Sequence, residues 1–191
     1  LPLMAATLLT DQPVALSNIP NLSDIRNMIR LLESLGIDVQ RDESRRSAHC
    51  QVSDNTCIEA HYDIVRTMRA GICVLGPLLA ARGRARVSMP GGCAIGDRPV
   101  DLHIRGLQQL GARISLDEGY IVAETPKGGR LIGTHLFMGG PKGSTMVGTA
   151  NIRHAAVLAR GTTIIECAAC EPEIEDLARM LTSMGAKIEG A

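Results

Sequence analysis

The sequence predicts an α/β fold in which three repeated α/β units form one domain. Three segments, LLESLGIDV, GLQQLGARI and MLTSMGAKI, end alike, and their glycines Gly36, Gly111 and Gly185 recur at intervals of about 75 residues. A repeat of this length is too long for a solenoid of small units, so we expect three units around a common axis. No linker, low-complexity tract or charge block divides the chain, and we place the units at approximately 1–50, 51–125 and 126–191.

The segment before each of these glycines is predicted to be a helix, because apolar residues recur there three positions apart. They lie one, four and seven positions before the glycine: Leu35, Leu32 and Ile29; Leu110, Leu107 and Ile104; Met184, Leu181 and Ala178. This spacing marks the buried stripe of a helix, and the glycine suits its C-terminal cap. A short β-branched strand is expected after each glycine.

The elements upstream of each of these helices also follow one order. A helix ends within 6–12, 77–84 and 156–162, and a strand follows at 13–19, 85–89 and 162–168. A loop then leads to helix starts at 21–25, 98–102 and 171–177, where Pro, Asp or Glu suits the first turn. An additional strand, YIVAETP, is expected at 120–126.

Composition excludes several classes of function. The 20 Lys and Arg residues balance the 20 Asp and Glu residues, and aromatic residues make up only 2% of the chain, so we expect no nucleic-acid partner. No apolar run approaches the length of a membrane span, and LPLMAATLL lacks the basic leader of a signal peptide, so we expect no membrane association. The six cysteines are irregularly spaced, which favours a reducing, cytoplasmic compartment.

The second unit differs from the others in its strand-to-helix loop, PGGCAIGDRPVD. Its glycines let the backbone bring Cys93 close to a ligand, and Arg98 offers a fork of donors for a phosphate or carboxylate. Pro99 at the helix start leaves neighbouring amides free for an anion. Cationic neighbours would lower the pKa of the thiol from about 8.5, so that it could donate a proton or attack as thiolate. A free cysteine in a glycine-rich turn is the alternative.

The stretch from RAGICVLGPLL through SMPGGCAIGDRPVDLH to GLQQLGA resembles the UDP-N-acetylglucosamine 1-carboxyvinyltransferase family of enolpyruvyl transferases. GTTIIECAACEPEIEDLARMLTSMGAKI is similar to the same family, and LPLMAATLL fits its first helix, so the resemblance runs nearly end to end. The resemblance implies an inside-out α/β prism, with helices inside and sheets outside. It also implies that the first strand and a second, similar domain are absent from this chain.

The resemblance further implies transfer of the enolpyruvyl group of phosphoenolpyruvate to the 3-hydroxyl of UDP-N-acetylglucosamine, with release of phosphate, for peptidoglycan synthesis. Cys93 would be the general acid and the thiol that fosfomycin alkylates, and Arg98 would hold phosphate. Substrate-binding residues are expected at Arg69, Arg98, Pro99, Val100, Asp101, Leu102, Lys142, Gly143, Ser144 and Thr145. No cofactor and no metal is implied, and this polypeptide without its second domain is expected to be inactive.

Two other functions stay open. A metal or redox module could use Cys167 and Cys170, but a zinc site needs about four ligands, and the family usually has Asn and Arg at these two positions. A non-catalytic nucleotide-sugar-binding domain would not need the thiol of Cys93. His103 either orders the loop before it or is an ordinary helix residue, and Lys142–Thr145 either binds an anion or caps a helix.

Overall fold

The computed structural model describes residues 1–90, 100–127, 129–141 and 143–190, along which helices and strands are interspersed. The α-helices are α1 (Pro2–Ala6), α2 (Ser23–Ser34), α3 (Tyr62–Val65), α4 (Leu75–Arg82), α5 (Asp101–Gln109), α6 (Met146–Ala156) and α7 (Pro172–Ser183). Two 3₁₀ helices, η1 and η2, span Thr7–Leu9 and Arg69–Val74. The strands are β1 (Val14–Leu16), β2 (Ile37–Asp42), β3 (Ser47–Val52), β4 (Glu59–Ala60), β5 (Arg84–Ser88), β6 (Arg113–Asp117), β7 (Tyr120–Glu124), β8 (His135–Phe137) and β9 (Ile164–Glu166).

Three sheets follow one another along the described chain, and each reuses part of the same strand pattern. The middle sheet has the order β4-β5-β7-β6, with β4 and β5 parallel and the remaining pairs antiparallel. The first sheet, β1-β3-β2, matches the antiparallel portion of the middle one, and the third sheet, β8-β9, matches its parallel portion. In the second and third sheets a helical crossover joins the two parallel strands, as parallel pairing requires.

The helices differ in how they are buried, and the difference separates interior helices from helices that keep one face exposed. Along α2 and α7, apolar residues recur at helical spacing and only one face is buried. In contrast, α6 is buried over its consecutive residues from Gly148 to Ala155, and α4 is buried from Leu75 to Leu79. Helices that are buried all round form the centre of a domain, so α4 and α6 lie inside and the sheets lie outside.

A glycine permits the close crossing of α4 and α6. A Cβ atom on Gly76 would lie only 2.1 Å from the backbone carbonyl oxygen of Asn151. Because no side chain fits at this point, the two helices touch backbone to backbone.

The predicted glycine caps are confirmed. Gly36, Gly111 and Gly185 have φ values of 76°, 92° and 104°, in the left-handed region that favours glycine. At the end of α5, the amide of Gly111 donates to the carbonyl of Gln108, and the amide of Ala112 donates to that of Leu107. The same two bonds end α7, so these helices close with the Schellman pattern.

The predicted strand after Gly185 is wrong for the described residues. The strands after Gly36 and Gly111, β2 and β6, each pair with the strand that follows them. Residues 186–190 have no such neighbour in the part of the chain that the structure describes, and they form no strand. A strand needs a partner for its backbone groups, so the local sequence alone does not specify one here. In all the residues that the structure describes, no helix is both long and apolar enough to cross a membrane.

Candidate functional site

Part of the predicted site lies outside the described residues. Cys93, Arg98 and Pro99 fall in 91–99, and Lys142 falls between two described stretches. The structure does describe Arg69, Val100, Asp101, Leu102 and the stretch from Gly143 through Ser144 to Thr145. The geometry of the site is therefore built from these.

The start of α5 presents one carboxylate between two buried apolar anchors. Val100 is the N-cap residue and is 7% exposed, and Leu102 is 9% exposed. Asp101, between them, is exposed in the first turn of the helix, where the positive end of the helix dipole stabilises a carboxylate. The anchors fix the backbone of this turn, so Asp101 is presented to solvent in a defined position.

The start of α5 is packed against the turn that contains Gly143. Gly140 and Gly143 exchange two backbone hydrogen bonds of 2.9 Å, which close the turn. A Cβ atom on Gly140 would lie 3.2 Å from Cδ1 of Leu102, so the Leu102 side chain packs close to this backbone. Arg105, one helical turn after Leu102, donates from Nη2 to the carbonyls of Phe137 and Gly139, both at 2.8 Å. The start of α5 is thereby joined to Gly140 and, through the Gly140–Gly143 pair, to the segment that leads into α6.

Thr145 caps α6. Its Oγ1 accepts a hydrogen bond of 3.2 Å from the amide of Gly148, while Gly143 and Ser144 are exposed just before the helix. Of the two alternatives for this segment, the helix cap is what the described residues show. Capping occupies one lone pair of the Thr145 oxygen and leaves its hydroxyl proton available as a donor.

Arg69 lies near the start of α5. It is half-buried at the beginning of η2, and its positive charge contributes to lowering the pKa of His103. The negative charge of Asp101 acts to raise the pKa of the same imidazole. Arg69 and Asp101 are therefore both close enough to His103 to affect it electrostatically, which places a cation and an anion around the first turn of α5.

The sequence prediction missed a buried polar residue at this place, Asn151 of α6. Its Nδ2 lies 2.9 Å from Nδ1 of His103 and 2.8 Å from the carbonyl of Ile72, and its Oδ1 accepts from the amide of Gly76. Burial lowers the pKa of His103 to about 4, with the Arg69 charge as a smaller cause. The available signal was the run of polar residues in an otherwise small and apolar helix, TANIRHAA.

The described cysteines belong to no group of side chains that could hold a metal ion. Burial raises the pKa of Cys50 to about 11 and that of Cys73 to about 12, so both thiols stay protonated near neutral pH. Cys167 and Cys170 are exposed and free, with Cys167 in the left-handed backbone region at φ 53°. Over 1–90, 100–127, 129–141 and 143–190, no three His, Cys, Asp or Glu side chains converge in a way that could hold a metal ion.

Relatives with assigned names match the chain along its whole length. Over 190 residues it is 54% identical to the UDP-N-acetylglucosamine 1-carboxyvinyltransferase of Methylacidiphilum infernorum. It is 48% identical to the enzyme of that name from Akkermansia muciniphila and 52% identical to that from Coxiella burnetii, each over 191 residues. The resemblance seen in the sequence is confirmed. The chain spans 43–44% of the length of these relatives while they cover 100% of it.

Solved structures match the fold. The enolpyruvyl transferase NikO from Streptomyces tendae superposes with a TM-score of 0.81 at 18% identity, over 98% of this chain and 42% of NikO. The EPSP synthase of Acinetobacter baumannii superposes with a TM-score of 0.71 at 14% identity, over 99% and 43% of the two chains. At these identities the likeness shows the fold, and the predicted α/β prism of enolpyruvyl transferases is confirmed. The model of the EPSP synthase (3-phosphoshikimate 1-carboxyvinyltransferase) family matches residues 1–191, and the chain belongs to that family.

Proposed function

We propose that this chain is the cysteine-loop part of an enzyme that transfers the enolpyruvyl group of phosphoenolpyruvate to the 3-hydroxyl of UDP-N-acetylglucosamine. Relatives that match it at 47–54% identity carry the name of that activity. The observation that supports the proposal is that Leu102, at the start of α5, packs on Gly140, which is hydrogen-bonded to Gly143. The positive charge of Arg69 also acts on His103 of the same helix.

These residues suit a nucleotide sugar. An exposed carboxylate, Asp101, is held between two buried anchors, and it can accept hydrogen bonds from the N–H and O–H donors of a nucleoside. The amides and hydroxyls of Ser144 and Thr145 precede a helix of 11 residues, where backbone donors and the helix dipole favour a phosphate group. Arg69 adds a positive charge near the same turn.

The side chains of Cys93 and Arg98 would act directly in the transfer of the enolpyruvyl group. The Cys93 thiol would donate a proton to the methylene carbon of phosphoenolpyruvate, which makes the adjacent carbon electrophilic. The 3-hydroxyl oxygen of the sugar bonds to that carbon and loses its proton. Loss of a proton from the new methyl group and cleavage of the carbon–oxygen bond to phosphate restore the double bond and release phosphate. Arg98 would stabilise the phosphate charge through this sequence, whereas Pro99 and Lys142 would contact the nucleotide sugar.

We also propose a domain organisation and a cellular role for the enzyme. Residues 1–191 form a single domain of three units with the limits given above, and a second domain of the same enzyme supplies the remaining substrate contacts. The chain alone is expected to be inactive. The enzyme would act in the cytoplasm, in peptidoglycan synthesis and hence in cell shape and division, and fosfomycin would alkylate Cys93.

The test is phosphate release by the full-length gene product, with phosphoenolpyruvate and either UDP-N-acetylglucosamine or 3-phosphoshikimate as acceptor. We expect phosphate release with UDP-N-acetylglucosamine as the acceptor and none with 3-phosphoshikimate. We also expect Cys93→Ser to lower kcat by at least about 100-fold, as loss of a general acid does. Cys170→Ser, at an exposed cysteine, is the matched control and should leave kcat unchanged.

Other outcomes would redirect the assignment. Phosphate release with 3-phosphoshikimate but not with UDP-N-acetylglucosamine would contradict the proposed acceptor. Such an activity would be that of EPSP synthase, after which the family is named. Tight binding of UDP-N-acetylglucosamine without phosphate release would favour a non-catalytic binding domain. Stoichiometric zinc in the purified protein would favour a metal module.

A further inference from the structure

A single buried amide joins the two stretches of chain that carry Arg69 and Asp101. Asn151 is fully buried in α6, and its side chain contacts three other helical elements. It donates to the carbonyl of Ile72 in η2 at 2.8 Å, accepts from the amide of Gly76 in α4 at 2.6 Å, and contacts His103 in α5 at 2.9 Å. The element that begins at Arg69 and the element that begins at Asp101 are thus fastened to one point on the central helix.

The partners of Asn151 fix which atom donates and which accepts. A backbone amide can only donate, so the atom facing Gly76 is Oδ1, and a backbone carbonyl can only accept, so the atom facing Ile72 is Nδ2. Nδ2 has a second hydrogen, and that hydrogen lies toward Nδ1 of His103. Nδ1 must therefore accept, and the imidazole carries its one proton on Nε2.

His103 is placed where its orientation matters. It is 4% exposed and lies in the first turn of α5, directly after the 100–102 stretch. Among the residues that the structure describes, the charged groups that act on it are Arg69, from η2, and Asp101, from its own helix. Rotation or protonation of the ring at Nδ1 would break the bond to Asn151 and shift the first turn of α5 relative to Arg69.

We propose that Asn151 and His103 are positioning residues, which hold the nucleotide-sugar turn and Arg69 at a fixed separation through a neutral His103 protonated at Nε2. This rests on the proposed function for its substrate, UDP-N-acetylglucosamine. Neither residue needs to touch the reacting atoms. Their contribution is therefore to the affinity for the nucleotide sugar and not to the bond-making steps.

Two substitutions of His103 distinguish a role in positioning the substrate-binding turn from a role in folding stability only. In His103→Asn, the side-chain oxygen can stand close to where Nδ1 is and accept from Asn151, whereas His103→Leu keeps comparable bulk and removes the acceptor. In the full-length protein we expect His103→Leu to raise the KM for UDP-N-acetylglucosamine about tenfold, with kcat within about twofold of the parent value, since a buried amide hydrogen loses its partner. We expect His103→Asn to restore most of that loss. His49→Leu, at an exposed histidine of β3, is the control and should change neither quantity.

The result that overturns the proposal is equally specific. If His103→Asn raises KM as much as His103→Leu, or if the two lower thermal stability without changing KM, the histidine has only a structural role. A fall in kcat without a change in KM would also overturn it, because that pattern indicates participation in the chemical steps.

A spectroscopic measurement separates this proposal from the proposed function. Long-range proton–nitrogen correlation spectra of the histidine-labelled full-length protein report the tautomer directly, with or without catalytic activity. We expect the Nε2–H form of His103 to persist unchanged between pH 6 and 8, and an Nδ1–H ring or an imidazolium in that range would refute the network. If the parent protein shows this tautomer but neither binds nor converts UDP-N-acetylglucosamine, the proposed function and the positioning role both fail, while the tautomer assignment stands.

Discussion

Replacing Gly76 by Ala tests the packing at the centre of the fold. The new Cβ would lie 2.1 Å from the carbonyl oxygen of Asn151 and 2.8 Å from its Oδ1, and both atoms belong to a residue held by three hydrogen bonds. Because the nearer obstacle is backbone, no rotation of a side chain relieves it, and α4 must move away from α6. Alanine gains about 1 kcal/mol of helix propensity over glycine. Overpacking and stretched hydrogen bonds outweigh that gain, and we expect a net loss of about 3 kcal/mol.

The matched control is Gly106→Ala in α5. Its Cβ would also meet α6, at 2.6 Å from Cδ1 and 2.8 Å from Cγ1 of Ile152, and it would lie 3.1 Å from Sδ of Met138. All three atoms belong to side chains, which can shift more readily than the backbone carbonyl at Gly76. With the same helix-propensity gain, Gly106→Ala should cost no more than about 1 kcal/mol. Urea unfolding followed by far-ultraviolet circular dichroism measures the difference, since the chain has no Trp for fluorescence. If Gly76→Ala is within about 0.5 kcal/mol of the parent, or if both variants cost the same, the reasoning is wrong.

Three further predictions use the same unfolding measurement. Cys167→Asn should stabilise the protein by about 0.5 kcal/mol, because Asn tolerates the left-handed backbone at φ 53° better than Cys does; a loss of stability would contradict this. Thr145→Ala should cost about 1 kcal/mol by removing the cap of α6, and Thr145→Ser should cost little; equal losses would exclude the cap as the cause. The buried imidazoles of His103 and His154 have folded-state pKa values lowered to about 4 and about 3, so their neutral forms stabilise the protein fully above pH 6.5. As pH falls below 6.5, each histidine should lower the free energy of unfolding, with a slope that approaches about 1.4 kcal/mol per pH unit by about pH 5.5. A stability that is flat between pH 6.5 and 5 would refute this.

The elements that the sequence predicts well are those with local causes. The cap glycines were identifiable because a left-handed residue follows a helical stripe, and Gly111 and Gly185 both close their helices in that way. The strand after Gly185 failed because a strand depends on a partner, which the local pattern does not contain.

The part of the site that the sequence did not predict depends on contacts between distant residues. Asn151 looks like an ordinary polar helix residue, and its partners His103 and Ile72 lie 48 and 79 positions away. The polar run TANIRHAA hints at an unusual helix, but the burial of this amide follows from the crossing of α4 and α6 at Gly76. The resemblance assigned both 100–102 and 143–145 to substrate binding. The two bonds from Arg105, which join α5 to the carbonyls of Phe137 and Gly139, were not visible in the sequence.

The Arg105 clamp has a consequence for how a ligand would bind. The bonds to Phe137 and Gly139, with Leu102 packed on Gly140, join the start of α5 to the 140–143 turn. Bringing these two stretches together costs conformational entropy, and that cost is part of the free energy of folding. It does not have to be offset again when a ligand binds. A ligand that binds here, such as the proposed nucleotide sugar, would therefore meet a preorganised surface, and more of its contact energy would appear as affinity.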